Sequence, residues 1–570
     1  MTTHAIPTID EPLLDAREIQ GAIVPGFSKP YQTYLGLRIE NVAKTKAWLT
    51  AIAGDISTLG EVLTGRVKFR AIKARIKHEA AQKKQAIAVT HIKERASTEL
   101  DLVHTSISFS YPALVKLSAD AQSFESDAFR LGLVARSPFL GDPTDPKDEG
   151  SPNNWVVGAP GNVADILMVV AADTEEGRGK KVAEISKGAS KSGLTVIYQE
   201  DAAVLPGHLR GHEHFGFHDN VSQPGVRGRV AIDETGSSLN PLAVDGTESY
   251  LNPRWISQEV IPDSMLYGIP GQDLVWPGEF IIGYPGQTQD PLIPGNPYNL
   301  FPTWSKNGSF LVFRRLRQDV KLFWEFMTSE AKRLAKTAGF KGITPVAFAA
   351  RIVGRWPSGA PFSRVQDHDD PALGEEGELF NNHFRYDADT CPVRLKRGFV
   401  DKYPQAKADP VGLTCPMTAH IRKVNTRDGA NDTGGTLGTY TRRIIRRGLP
   451  FGSPLVEGFD DEQVKLKEPD PENGNRGLLF LGYVGSLEDQ YEFLQNRWMA
   501  NRSAPRSPGG DDIMLGLNGN VGQERVRQGV VFGSNLKAET IATNLPWLVP
   551  TGGGYYFTPS ISAIRDVLAK

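Results

Sequence analysis

Residues 307–339, NGSFLVFRRLRQDVKLFWEFMTSEAKRLAKTAG, change hydrophobic period partway along. The first third is an apolar, β-favouring run that reads as a strand. From Val320 onward, Val320, Phe323, Trp324 and Met327 recur at intervals of three and four, which places them on one face of a helix packed against a sheet. The same unit returns at 477–499. There GLLFLGYV reads as a strand, Ser486 and Asp489 form a cap, and Leu487, Tyr491, Leu494 and Trp498 share one helical face. Upstream, HTSISFSYPALVKL (104–117) reads as a strand turning into a helix. VADILMVVA (163–171) is a continuous apolar strand suited to a sheet buried on both faces or against helices. Strands and helices alternate without the rhythm of a doubly wound sheet, so the class is α+β, with antiparallel sheets carrying helices on one side. The final YYFTPSISAIRDVLAK docks as a closing strand and helix.

A chain of 570 residues exceeds one simple core. The Pro-, Gly- and Asn-rich stretch 237–302 reads as a loop-dominated connection, which divides the chain into 1–300 and 301–570. A net charge of -2 gives no global attraction to nucleic acid or anionic membranes, and neither partner is expected. Two cysteines, Cys391 and Cys415, exclude a disulfide framework. The N-terminal residues lack a secretory or twin-arginine pattern and no window is apolar enough to span a membrane, so the expected location is cytoplasmic. The region of about 61–100 is helix-favouring and strongly basic. It reads as a solvated helical insertion, with a polyanion-binding module as the alternative, although few aromatic residues accompany its charges.

The chemistry concentrates in residues 415–452, CPMTAHIRKVNTRDGANDTGGTLGTYTRRIIRRGLPFG. His420 opens a short helical segment, and Arg442, Arg443, Arg446 and Arg447 follow about two dozen residues later. An imidazole and a guanidinium on opposite sides of a buried cofactor are what a haem enzyme needs, but spacing alone equally allows a capping histidine and a solvated arginine face. His208, His212, His214 and His218 crowd together without the cysteine or carboxylate pattern that would complete a metal shell. Cys415 is not in a CxxCH arrangement, which argues against covalent haem attachment.

CPMTAHIRKVNTRD resembles the proximal-histidine motif of the dye-decolourising peroxidases, a haem peroxidase family. GFHDNVSQPG (216–225), PGEFIIGYP (277–285), NGSFLVFRRLRQDV (307–320), GRWPSGAP (354–361), RRIIRRGLPFG (442–452) and GLLFLGYVGSLEDQYEFLQ (477–495) resemble further family segments in the family's order. The resemblance implies two ferredoxin-like subdomains with haem b held non-covalently between them, one per chain, and His420 as the axial ligand of its iron. It also implies Asp219, in the counterpart of the distal GxxDG motif, as the proton carrier on the peroxide side, and Arg446 as the distal cation, with Arg447 as the fallback. Arg422, Arg427 and Arg443 are candidates to pair with the haem propionates, along with Lys423. Glu488 is a weak candidate for the acceptor behind His420. One departure stands out: Asn220 replaces the motif's last glycine, and asparagine tolerates left-handed backbone better than most residues. The implied activity is oxidation of phenols and dyes by hydrogen peroxide, in a chain free to form an oligomer. A non-enzymatic or weakly peroxidatic haem-handling protein is the alternative.

Overall fold

The structure is a computed structural model. It describes residues 9–83, 89–230, 250–257, 263–297, 302–375, 379–396, 398–460, 463–470, 474–507, 509–516 and 526–570. Four strands of the first half, β1 (Tyr31–Ile39), β2 (Val103–Phe109), β3 (Ile166–Ala172) and β4 (Leu194–Ala203), pair antiparallel in the order β2-β3-β1-β4. In the second half β5 (Ser309–Gln318) lies between β8 (Gly477–Val484) and β9 (Leu548–Thr558), and β8 carries on its other edge the short strands β6 (Ile445–Arg446) and β7 (Leu449–Phe451). Each half thus has the strand order of a ferredoxin-like unit. The pairing of Phe557 with Phe109 joins β9 to β2, so among the described residues nine strands form one continuous sheet.

The sheet curls until β4 comes alongside β7. Its concave side holds Tyr34, Val169, Leu311, Phe313 and Tyr483. Across that interior Arg315 on β5 makes a bidentate pair with Glu200 on β4, at 2.7 and 2.8 Å. The expectation of helices on one side holds, but the opposite side is not left to water: the curvature buries it too. This is why β3 reads as an unbroken apolar run and is buried at every position.

Helices cover the convex side. In the first half they are α1 (Val42–Ile52), α4 (Tyr111–Leu117), α5 (Asp127–Arg136) and α6 (Glu175–Lys191), packed with Ile107, Met168 and Phe557 into one core. The basic region forms two helices, α2 (Leu59–Gln82) and α3 (Val89–Leu100). Residues 84–88 of that region, and 237–249, 258–262 and 298–301 of the connecting stretch, lie outside the described residues. In the second half α7 (Val320–Leu334) buries Val320, Phe323, Trp324 and Met327 as its period requires, and α8 (Pro345–Val353) packs beside it. The last major helix, α10 (Leu487–Met499), starts at Ser486, whose hydroxyl accepts the Asp489 N–H as expected. It is wound with wide π-type turns rather than α-type ones. Between α8, α10 and the sheet sits the short helix α9 (His420–Val424).

Candidate active site

A cavity of about 290 Å³ opens between the convex face of β5 and β8 and the helices α8, α9 and α10. Leu316, Leu478 and Phe480 form its sheet wall; Ile421, Val424 and Leu494 face them from the helices. His420, Asp219 and Arg446, far apart in sequence, all line it.

His420 enters from the helical wall. Its Nδ1 lies 2.7 Å from Oδ2 of Asp512, which is fully buried and whose Oδ1 accepts the N–H groups of Met514 and Leu515. A carboxylate fixed in this way commits Nδ1 as a donor and leaves Nε2 as the lone-pair nitrogen for the cavity. Glu488 is therefore not the acceptor. Its carboxylate takes the Ser126 hydroxyl and the Ala128 N–H at the start of α5. Two features bring the Asp512 loop to α9. Lys423 donates to the carbonyls of Asn501, Ala504 and Gly510, and Gly510, at φ 116°, packs so close that a Cβ would lie 2.5 Å from Thr418 Cγ2.

On another wall Arg446 Nη1 donates to Asp219 Oδ1 at 3.2 Å, while Nη2 holds the Ser222 carbonyl at 2.9 Å. Asn220 adopts φ 57°, the left-handed conformation expected of it. Its backbone N–H donates to Asp219, and its side-chain oxygen accepts from Gln223. The side chain is thus tied outside the Asp219–Arg446 pair. Arg447 is buried away from the cavity against Ile23 and Gly26, so of the two arginines Arg446 is the one in the cavity lining.

The candidate anion-binding arginines separate. Arg427 and Arg443 line the cavity, and Arg443 Nε is buried without a partner. Arg422 does not line it. Burial turns its guanidinium onto Asp409 and the Cys415 carbonyl, stacked over Tyr386, so its expected role at the cofactor is corrected to that of a structural tie. Lys423 is likewise spent on carbonyls. Among the described residues no group of three or more His, Cys, Asp or Glu is arranged to hold a metal ion. His212 stacks on His218, His214 meets the Phe451 carbonyl, and burial pushes His212 and His214 down to about 4.

A family model described as the DyP dimeric alpha+beta barrel domain matches residues 18–206. A dye-decolorizing peroxidase of Mycetinis scorodonius is 28% identical over 98% of this chain and 88% of its own length. One of Auricularia auricula-judae is 28% identical over 98% and 87%. The structure of an ancestral D-type dye decolorizing peroxidase superposes with a TM-score of 0.68 at 27% identity, covering 98% of this chain and all of that one. Together these matches indicate the dye-decolourising peroxidase family. The chain is accordingly a peroxidase, an oxidoreductase, and the family implies a haem cofactor. The cavity suits such a group. Its surface is mostly apolar, two imidazoles, His218 and His420, line it, and Arg314 Nε and Nη1, Arg442 Nε and Arg443 Nε, all of lining residues, are buried donors without partners, as a carboxylate-bearing ligand requires.

Sequence reasoning missed two carboxylates of this peroxidase's site, Asp512 behind His420 and Glu213 in the cavity lining. Asp512 lies 92 residues from His420, and nothing local marks it. Glu213 lines the cavity, where it accepts the N–H groups of Phe215 and Phe217, each at 2.9 Å, and the Gln318 amide. Burial pushes its carboxyl up to about 7. Since the folded value exceeds the unfolded one, the stability this group contributes is full below about pH 4.5 and is lost as the pH rises through about 7. We predict that the wild type loses about 2 kcal/mol between pH 4.5 and 8 relative to Glu213→Gln, after allowance for water in the cavity. Paired pH series of urea melts check this; parallel curves for the two proteins would refute it.

Proposed function

We infer that the chain is a haem b peroxidase whose cofactor is bound non-covalently through Nε2 of His420, with Asp219 and Arg446 acting on hydrogen peroxide and with phenols or aromatic dyes as electron donors. One observation carries this reading: a carboxylate-anchored imidazole and an acid–guanidinium pair enter one apolar cavity from different walls. Haem, when bound, supplies the iron that takes up the oxidising equivalents of peroxide. The Asp219 carboxylate takes the proton of the inner peroxide oxygen and returns it to the outer one, which departs as water. Arg446 holds that carboxylate in place and offsets negative charge on the departing oxygen. Arg427 and Arg443 would hold the haem carboxylates. Names of relatives that share nearly the whole length support the dye donors and leave the non-enzymatic alternative without favour. The division near residue 300 into two ferredoxin-like halves and the cytoplasmic location belong to the same proposal; among the described residues no helix is long and apolar enough to cross a membrane.

The test is reconstitution with haem followed by spectral and peroxide titration. The wild type is expected to bind one haem and to turn over a phenol and a dye. His420→Ala is expected to lose the spectrum of a nitrogen-ligated haem. An unchanged spectrum in His420→Ala would overturn the assignment.

A further inference from the structure

The segment that carries Asp219 is a tight hairpin. His212 and His218 pair antiparallel, the Asp219 N–H meets the Gly211 carbonyl at 2.9 Å, and the Glu213 N–H meets the Phe217 carbonyl at 3.0 Å. At the tip Gly216 takes φ 95°, a left-handed turn that glycine makes without strain. Phe215 and Phe217 pack into α7, stacked on Phe323 and Trp324. Their two backbone N–H groups both end on the Glu213 carboxylate, and the side-chain amide of Gln318, the last residue of β5, ties that carboxylate to the sheet. One acid thus closes the hairpin that holds Asp219 in the cavity.

The three hydrogen bonds favour a negative charge on Glu213, whereas burial and the neighbouring Asp219 carboxylate oppose it. The other charged or titratable groups around it are His212, His214 and His218 of the hairpin, Arg476 beside His214, Arg314 farther along the same face of β5, and Arg446, which holds Asp219. Burial leaves His212 and His214 neutral at pH 7, and α7 meets the hairpin with Phe323 and Trp324. A neutral side chain could close the turn without setting a second carboxyl group beside Asp219, so the acid itself is the feature that needs a role.

Gln318 answers both charge states of Glu213. Its Nε2 donates to the carboxylate, while its Oε1 is buried without a hydrogen-bond partner among the described residues. A half-turn of the amide exchanges the two atoms, and Oε1 then accepts the proton of an uncharged Glu213. The tie to the sheet is kept in either state.

We propose, on the reading of Asp219 as the proton carrier, that Glu213 is a positioning residue of the peroxide reaction: it fixes through the hairpin where the Asp219 carboxylate stands, and its charge sets how readily that carboxylate exchanges a proton. Glu213 acts through Asp219 and need not touch the peroxide.

The test combines Glu213→Gln with Asp219→Asn in the full-length, haem-loaded protein, read by stopped-flow rates with hydrogen peroxide. Glu213→Gln alone is expected to slow the peroxide step about 10- to 100-fold while the half-saturating phenol concentration stays as in the parent. In the Asp219→Asn background the same substitution is expected to change the rate by less than about twofold, because its effect passes through the missing carboxylate. Infrared difference spectra of parent against Glu213→Gln should show a protonated carboxyl band that fades between about pH 6 and 8. If Glu213→Gln melts early, Gln318→Met replaces it: both backbone bonds of Glu213 stay, and a slowing of about threefold or more that vanishes with Asp219→Asn is expected. A peroxide rate in Glu213→Gln within twofold of the parent, full additivity with a slow Asp219→Asn, or absence of the carboxyl band would each overturn the proposal and leave the role of Asp219 standing. A parental rate in Asp219→Asn alone would overturn both.

Discussion

Asp219→Asn is expected to slow the reaction with hydrogen peroxide about a thousandfold while haem stays bound. The exchange is nearly isosteric. An asparagine oxygen still accepts from Arg446 Nη1 and from the Asn220 N–H, and the Asp219 N–H keeps its bond to the Gly211 carbonyl, so the loop has no reason to move. What disappears is the ability to receive a proton and give it back. Removing Arg446 acts on the same event from the other side: Arg446→Leu keeps the carboxylate but frees its orientation and strips the fixed charge, for a loss of about 100- to 1,000-fold. Because both groups serve one proton transfer, the double variant should lose little more than the worse single one. Stopped-flow rates for peroxide consumption measure all three. A rate for Asp219→Asn within threefold of the parent would show that the carboxylate is not the proton carrier, and full additivity in the double variant would show that the two side chains act separately.

The parts of this molecule that were legible in sequence are those fixed by neighbours a few residues away. The period of Val320, Phe323, Trp324 and Met327 forecasts a face that is indeed buried, and Ser486 caps its helix as the Ser-Leu-Glu-Asp pattern requires. The left-handed backbone of Asn220 follows from the turn it occupies. Contacts made by distant segments were not legible. Glu488 looked like an acceptor for His420 because it lies on a helix near the site, yet the helix turns it toward Ser126, and a loop beyond residue 500 supplies Asp512 instead. Arg422 and Arg427 belong to one basic run, but the tight turn of α9 sends the first into Asp409 and only the second to the cavity. Charge composition carries no information about which arginine a fold will spend on its own carbonyls.

Asp512 is where that missing information has its largest consequence. Replacing it with asparagine should weaken haem binding about 10- to 100-fold with little change in the melting temperature of the apoprotein. The asparagine oxygen can keep the N–H groups of Met514 and Leu515, so its amide N–H is left facing His420 Nδ1. Two donors cannot share that contact. The imidazole resolves it by moving its proton to Nε2, which turns Nδ1 into an acceptor and removes the lone pair that the cavity side requires. Asp512→Ala differs in kind: it leaves two half-buried backbone N–H groups without their acceptor, at about 1 kcal/mol each, and is expected to destabilise the apoprotein as well. Haem titration and thermal melts of the two variants therefore separate tautomer control from simple support of the loop. If Asp512→Asn binds haem as tightly as the parent, the ring takes its orientation from α9 alone, and the carboxylate serves only to close the chain turn at Met514.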